Sequence, residues 1–166
     1  EVLQLFAKHY ETGEVIPMEL VRKIKKAANF LEGMQTLRQL SFGLLDMSWH
    51  GADPSDIQDV KAFESACFAN TKLYPEVAEN CMSTSFSHIF QGGYSSGYYS
   101  YKWAEVLDAD AFTRFQEEGV MNGKTGREFR DKILSRGNSL PPDVLYRSFM
   151  NRDPNPNALL KRSGLE

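Results

Sequence analysis

The chain has 166 residues, enough for one sizeable hydrophobic core or at most two small ones. Hydrophobic residues make up 42% and charged residues 25%, a composition that excludes disordered and collagen-like chains. Nineteen basic against 22 acidic side chains leave a formal charge of −3, so no nucleic-acid partner is expected, and no apolar run nears the ~20 residues of a membrane span.

The opening run from Glu1 to Lys8 has neither an initiator Met nor a signal-peptide layout. It reads as the middle of a helix, so a piece of something longer is expected. Leu20, Val21, Ile24, Ala27, Ala28 and Leu31 then share one helical face, with Pro17 suited to the first turn and Gly33 to the stop. Leu37, Leu40, Leu44 and Met47 repeat that spacing. Asp53-Pro54 reads as the cap and first turn of a third helix carrying Ile57, Val60 and Phe63. Residues 75–79 form a connector, and Ser83 to Ser87 is a polar run. A long helix is predicted from Tyr94 to about Glu118, ended by Gly119. Thr125-Gly126-Arg127-Glu128 has the pattern of a capping box for a helix that carries Phe129, Ile133 and Leu134 and stops at Gly137. Pro141-Pro142 and Asn155-Pro156 open two short final helices. With no alternating run of strand length, the fold class is all-α, and residues 1–166 are expected to form one compact helical domain.

Several motifs are excluded by inspection. Gly119 to Thr125 ends like a phosphate-binding loop, but the pattern needs glycine where Glu118 stands, and a helix precedes it instead of a strand. None of His9, His50 and His88 is followed by Glu, so there is no H-E-x-x-H zinc motif. No G-x-S-x-G nucleophile elbow is present. His9 and His50 read as surface or helix-end residues, and the Lys23, Lys25, Lys26 cluster as a solvated face. Cys67 and Cys81, the two cysteines, suggest a reducing and hence cytoplasmic setting, although spacing alone leaves one bridge between them open.

One window stands apart. Four of the seven tyrosines fall within residues 94–101, preceded by His88 and Gly92-Gly93. On a continuous helix, Tyr94, Tyr98, Tyr101, Glu105 and Asp108 would lie within roughly 80° of each other, with Tyr99, Trp103, Val106 and Leu107 opposite as core. Phenols are neutral donors near pH 7 and can hydrogen-bond a carbonyl or a developing oxyanion. Glycines at 92 and 93 would admit a close backbone approach or a hinge. Half-buried packing tyrosines before a sharp turn are the simpler alternative.

At these residues, Phe86-Ser87-His88-Ile89-Phe90-Gln91-Gly92-Gly93-Tyr94, Tyr98-Tyr99-Ser100-Tyr101 and Trp103-Ala104-Glu105-Val106-Leu107-Asp108, the chain resembles the C-terminal part of the thimet oligopeptidase family of zinc metallopeptidases, in particular its bacterial peptidyl-dipeptidase and oligopeptidase A branch. His9 to Pro17, Met47-Ser48-Trp49-His50 and the stretch from Arg152 to Leu165 extend the likeness over nearly the whole length. The resemblance implies a helical, two-lobed enzyme around a channel that admits short peptides. It places the zinc ligands and the water-activating glutamate upstream of Glu1, so zinc belongs to the full-length enzyme and no residue of this chain binds it. It further implies catalytic roles for His88, Tyr94 and Tyr101, with Tyr101 stabilising the oxyanion. Tyr98 would line the substrate site, and Gly92 and Gly93 would form a flexible loop over the channel. Without its metal site the chain alone is expected to be inert. Surfaces bared by truncation would favour self-association. The Leu165-Glu166 ending resembles a purification-tag junction, which leaves the origin of Glu166 open. The competing class is a non-enzymatic helical module that binds peptides or proteins through its tyrosine face.

Overall fold

A computed structural model describes residues 2–166. Its order is α1 (Val2–Phe6), α2 (Met18–Ala28), α3 (Glu32–Gly51), α4 (Val60–Phe68), α5 (Met82–Ser85), α6 (Ser100–Glu118), α7 (Gly123–Lys132), α8 (Pro142–Met150) and α9 (Asn157–Arg162). Short 3₁₀ turns lie at Pro54–Asp56, Ser87–Ile89 and Leu134–Arg136. Extended pairing among the described residues is limited to an isolated bridge between Lys8 and Val15, so the chain is all-α. Glu1, the first residue of the helix-like opening run, lies outside the described residues.

Several predicted boundaries move, each for a local reason. Gly33 does not stop a helix but sits in the first turn of α3; the break falls earlier, at Asn29–Leu31, where Leu31 takes a left-handed φ of 57°. A Cβ on Gly33 would lie 3.6 Å from the Leu165 side chain, an ordinary contact distance, so the returning C-terminal tail packs close to this turn. Asp53 caps only the 3₁₀ turn, accepting from the Ser55 amide at 2.9 Å. The cap of α4 is Asp59, whose carboxylate accepts from the Lys61 and Ala62 amides at 2.8 and 3.0 Å, leaving Ile57 outside that helix. The expected capping box does not form. Asn122 caps α7 instead, Thr125 is fully buried with its hydroxyl donating to Glu118, and Glu128 pairs with Arg114.

Buried apolar side chains gather in small clusters. Phe42, Phe86 and Ile89, backed by Trp49, Met82 and Tyr98, join α3 to the segment before the tyrosines. Val106, Ala109 and Leu159 join α6 to α9, and Ala111, Tyr146 and Phe149 join α6 to α8. α2 buries no residue, and the predicted apolar face of α3 is not its buried one. Leu20 and Ile24 of α2 and Leu40, Leu44 and Met47 of α3 are exposed, whereas α3 buries the face bearing Phe42, Leu45 and Asp46. Helical spacing finds a stripe but cannot tell which stripe meets a partner within the same chain. Tyr99 and Trp103, expected in the core of α6, are exposed; only Val106 of that set is fully buried.

The C-terminal segment is held to α6 by Asp110, which is 1% exposed. Its carboxylate accepts from Arg152 at 2.5 and 2.8 Å, from the Tyr146 hydroxyl at 2.6 Å and from the Asn155 amide at 2.9 Å. Burial pushes this carboxyl up, but the Arg152 guanidinium, the Tyr146 hydroxyl and the Asn155 amide outweigh burial and hold it below the usual carboxylate range. Asp110→Asn is expected to cost about 2–4 kcal/mol in denaturant unfolding, since one acceptor is lost among three donors; a cost below about 0.5 kcal/mol would contradict the clamp. Because the folded pKa is lowered, the stabilisation is complete above roughly pH 4 and is lost as pH falls through the folded value. Acid titration of stability should therefore be shallower in the Asn variant than in the wild type.

Candidate active site

The tyrosine window is not one helix. α6 begins at Ser100, so Tyr101 sits in its first turn while residues 94–99 form a series of turns leading into it. Tyr94 and Tyr98 therefore lie off the helix, and of the expected face only Tyr101, Glu105 and Asp108 stand together on α6. The two acids pair with Lys102 and Arg162. The rings nevertheless meet. The Tyr101 ring centroid lies 5.0 Å from that of Tyr94 and 5.1 Å from that of Tyr98. His88, on the 3₁₀ turn, stands 6.1 Å from Tyr94 and 6.5 Å from Tyr98. The turns thus achieve by folding back what a helix face would have achieved by periodicity.

The cluster has a dry base and a wet rim. Tyr98 packs edge-on against Phe42 and Phe86 at 5.8 and 5.0 Å, and its hydroxyl donates to Gln39 Oε1 at 3.1 Å. That proton is committed within the chain, so Tyr98 offers a ring and an acceptor lone pair to anything bound above it. Burial pushes the Tyr98 phenol up, partly offset by the charge of Arg38. Tyr94 is half-buried, while Tyr101 is 42% exposed and His88 is exposed. The neighbouring Tyr94 hydroxyl, followed by desolvation, holds the Tyr101 phenol above its ordinary 10.0. Tyr101 therefore keeps its proton throughout the neutral range, the state in which a phenol can donate.

The two glycines differ in their reasons. A Cβ at Gly92 would lie 3.0 Å from the His88 carbonyl oxygen and 3.1 Å from its Cα, so a side chain here would crowd the His88 backbone and push it by a few tenths of an ångström. Gly93 has open space around it but a φ of +77°, which a side chain at this position would strain. Together they reverse the chain between His88 and Tyr94.

Two buried carboxylates, neither of them evident as a motif, carry this surface. Glu64 of α4 accepts from the Met82 amide at 2.8 Å and from the Ser83 amide and hydroxyl at 2.5 and 2.6 Å. Trp49 of α3 donates to the same Ser83 hydroxyl at 3.0 Å, which fixes the start of the segment leading to His88. Asp46 of α3, with no exposed surface, accepts from the Ser96 and Tyr98 amides, each at 2.9 Å. His50, four residues further along, places Nδ1 2.9 Å from the Asp46 carboxylate and 2.8 Å from the Asp46 carbonyl. Both neighbours are acceptors, which assigns the proton to Nδ1. The available signal was a lone acid inside an otherwise apolar helical stretch: Leu44-Leu45-Asp46-Met47 and Ala62-Phe63-Glu64.

A zinc ion of the kind the resemblance implies does not fit these residues. Among the described residues no three His, Cys, Asp or Glu side chains converge as a ligand set. The Nδ1 of His50 is turned to Asp46, that of His9 accepts the Thr12 amide at 3.2 Å, and His88 lies among aromatic rings. Cys67 and Cys81 are separate thiols. No described helix is long and apolar enough to cross a membrane.

Comparison with known proteins accounts for the whole length. Oligopeptidase A of Escherichia coli (strain K12) is 44% identical over 168 residues, covering all of this chain and 25% of that protein. Oligopeptidase A of Haemophilus influenzae is 43% identical over 99% of the chain, and dipeptidyl carboxypeptidase of Escherichia coli is 38% identical over 99%. The chain spans about a quarter of the length of these curated relatives. The family model for peptidase family M3 matches residues 1–165, and the chain belongs to that family.

Proposed function

We propose that residues 1–166 form one helical, substrate-facing C-terminal part of the catalytic domain of a cytoplasmic zinc peptidase that hydrolyses short peptides, either internally or by releasing dipeptides. The observation that carries this reading is the convergence of His88, Tyr94, Tyr98 and Tyr101 on one surface patch in a chain of family M3. Tyr101 donates to the oxygen of the scissile carbonyl as negative charge develops there, with Tyr94 and His88 contacting the same region of the substrate. Tyr98 lines the patch. Gly92 and Gly93 let the loop bearing His88 close over a bound peptide. The metal and the nucleophile come from the remainder of the protein, and two free thiols agree with a reducing compartment.

In the intact peptidase, Tyr101→Phe is expected to lower kcat about 100-fold and to change KM less than about twofold, because the lost bond strengthens only in the transition state. An unchanged kcat would overturn the assignment. The purified 166-residue chain, supplied with zinc, should leave a fluorogenic peptide uncut, and metal-dependent cleavage by it would contradict the division of labour. Phe6, Met18, Leu20, Ile24 and Phe30 are 45–75% exposed, so the isolated chain should pair with a second copy through this apolar surface. Sedimentation should show association rising with concentration; a monomer at every concentration would count against it.

A further inference from the structure

We infer that Asp46 is a positioning residue for peptide hydrolysis, setting the direction of the Tyr101 phenol through the backbone of residues 96–98. The inference rests on the reading of Tyr101 as the oxyanion donor.

A carboxylate without exposed surface needs compensation for its lost hydration. Asp46 finds it in two backbone amides and an imidazole: Ser96 N–H on Oδ1, Tyr98 N–H on Oδ2, and His50 Nδ1 on Oδ1. The amides belong to a turn that has reason to relax. Ser96 holds a φ of +57°, a conformation residues with side chains rarely adopt. Local bonds close the turn on itself, with the Gly97 amide on the Tyr94 carbonyl at 2.8 Å and the Ser95 hydroxyl on the Ile89 carbonyl at 2.6 Å. Asp46 is what ties its backbone to α3.

The placement of those two bonds is specific. Ser96 is two residues after Tyr94, and Tyr98 is itself a ring of the cluster and the last anchored amide before Tyr101. The Tyr98 carbonyl in turn accepts from the Tyr101 amide at 3.2 Å. With the amides on both sides of Gly97 anchored, the backbone between Tyr94 and Tyr101 is held, and with it the positions from which their rings project. Asn at position 46 would have the same shape but one acceptor, and its amide group would have to face an N–H donor.

The test is a double-mutant cycle in the intact zinc-loaded peptidase. Asp46→Asn should lower kcat about tenfold with KM within about twofold, and should cost less than about twofold more when Tyr101 is already Phe. Losses that multiply fully in the double variant would overturn the positioning role while leaving the donor role of Tyr101 intact. A Tyr101→Phe enzyme with normal kcat would instead bring down the reading beneath it. If Asp46→Asn does not fold, the cycle is run with His50→Leu, which removes one donor from the same carboxylate. A threefold or larger fall in kcat, absent in the Tyr101→Phe background, supports the role, and an unchanged or fully multiplicative kcat overturns it.

Discussion

In the middle of α3 a carboxylate with no accessible surface, Asp46, meets the amides of Ser96 and Tyr98, 50 and 52 residues further along the chain. The cost of burying that charge is offset only when all of its donors are in place, so the carboxylate and the turn specify one another. The tyrosine side of the candidate site follows from that turn: its left-handed Ser96, the ring of Tyr98 seated on Phe42 and Phe86, and the entry of the chain into α6 just before Tyr101.

The same device recurs. Glu64 grips the amides of Met82 and Ser83, and Asp110 grips the Asn155 amide together with Arg152 and Tyr146. In each case a helix-borne acid takes backbone amides that have no partner within their own segment: the turn at Ser96–Tyr98, the first turn of α5, and the stretch before α9. α6 follows directly on the turn that Asp46 holds and carries Asp110 in its middle. A short, loop-rich helical chain with several small apolar clusters thereby gains fixed geometry where apolar packing alone would leave latitude.

The sequence made the helical class legible because its apolar residues recur at helical spacing and most of its prolines and glycines fall near element ends, Gly43 in the middle of α3 being an exception. It misplaced what depends on contacts across the chain. The Leu40, Leu44, Met47 stripe of α3 is as periodic as the buried one, yet it faces outward, since burial depends on what lies opposite. The density of tyrosines and the family likeness mark the cluster, but the helix face expected to group its members does not extend back to Tyr94 and Tyr98. Rings brought together by a reversal at Gly92 and Gly93 obey no period. Asp46 and Glu64 are not legible in the sequence because a single acid in an apolar helix carries no motif; its meaning lies in amides far away in sequence. Thr125 and Glu128 fit a local capping pattern, but Glu118 and Arg114 offered each a nonlocal partner.

The proposed donor role of Tyr101 is tested most directly by a crystal structure of the intact peptidase with a tetrahedral transition-state analogue bound. The Tyr101 hydroxyl should lie within about 3.2 Å of the analogue oxygen that replaces the scissile carbonyl oxygen, with the residue 96–98 turn still held by Asp46. A Tyr101 hydroxyl more than about 5 Å from that oxygen, well outside hydrogen-bond reach, would contradict it.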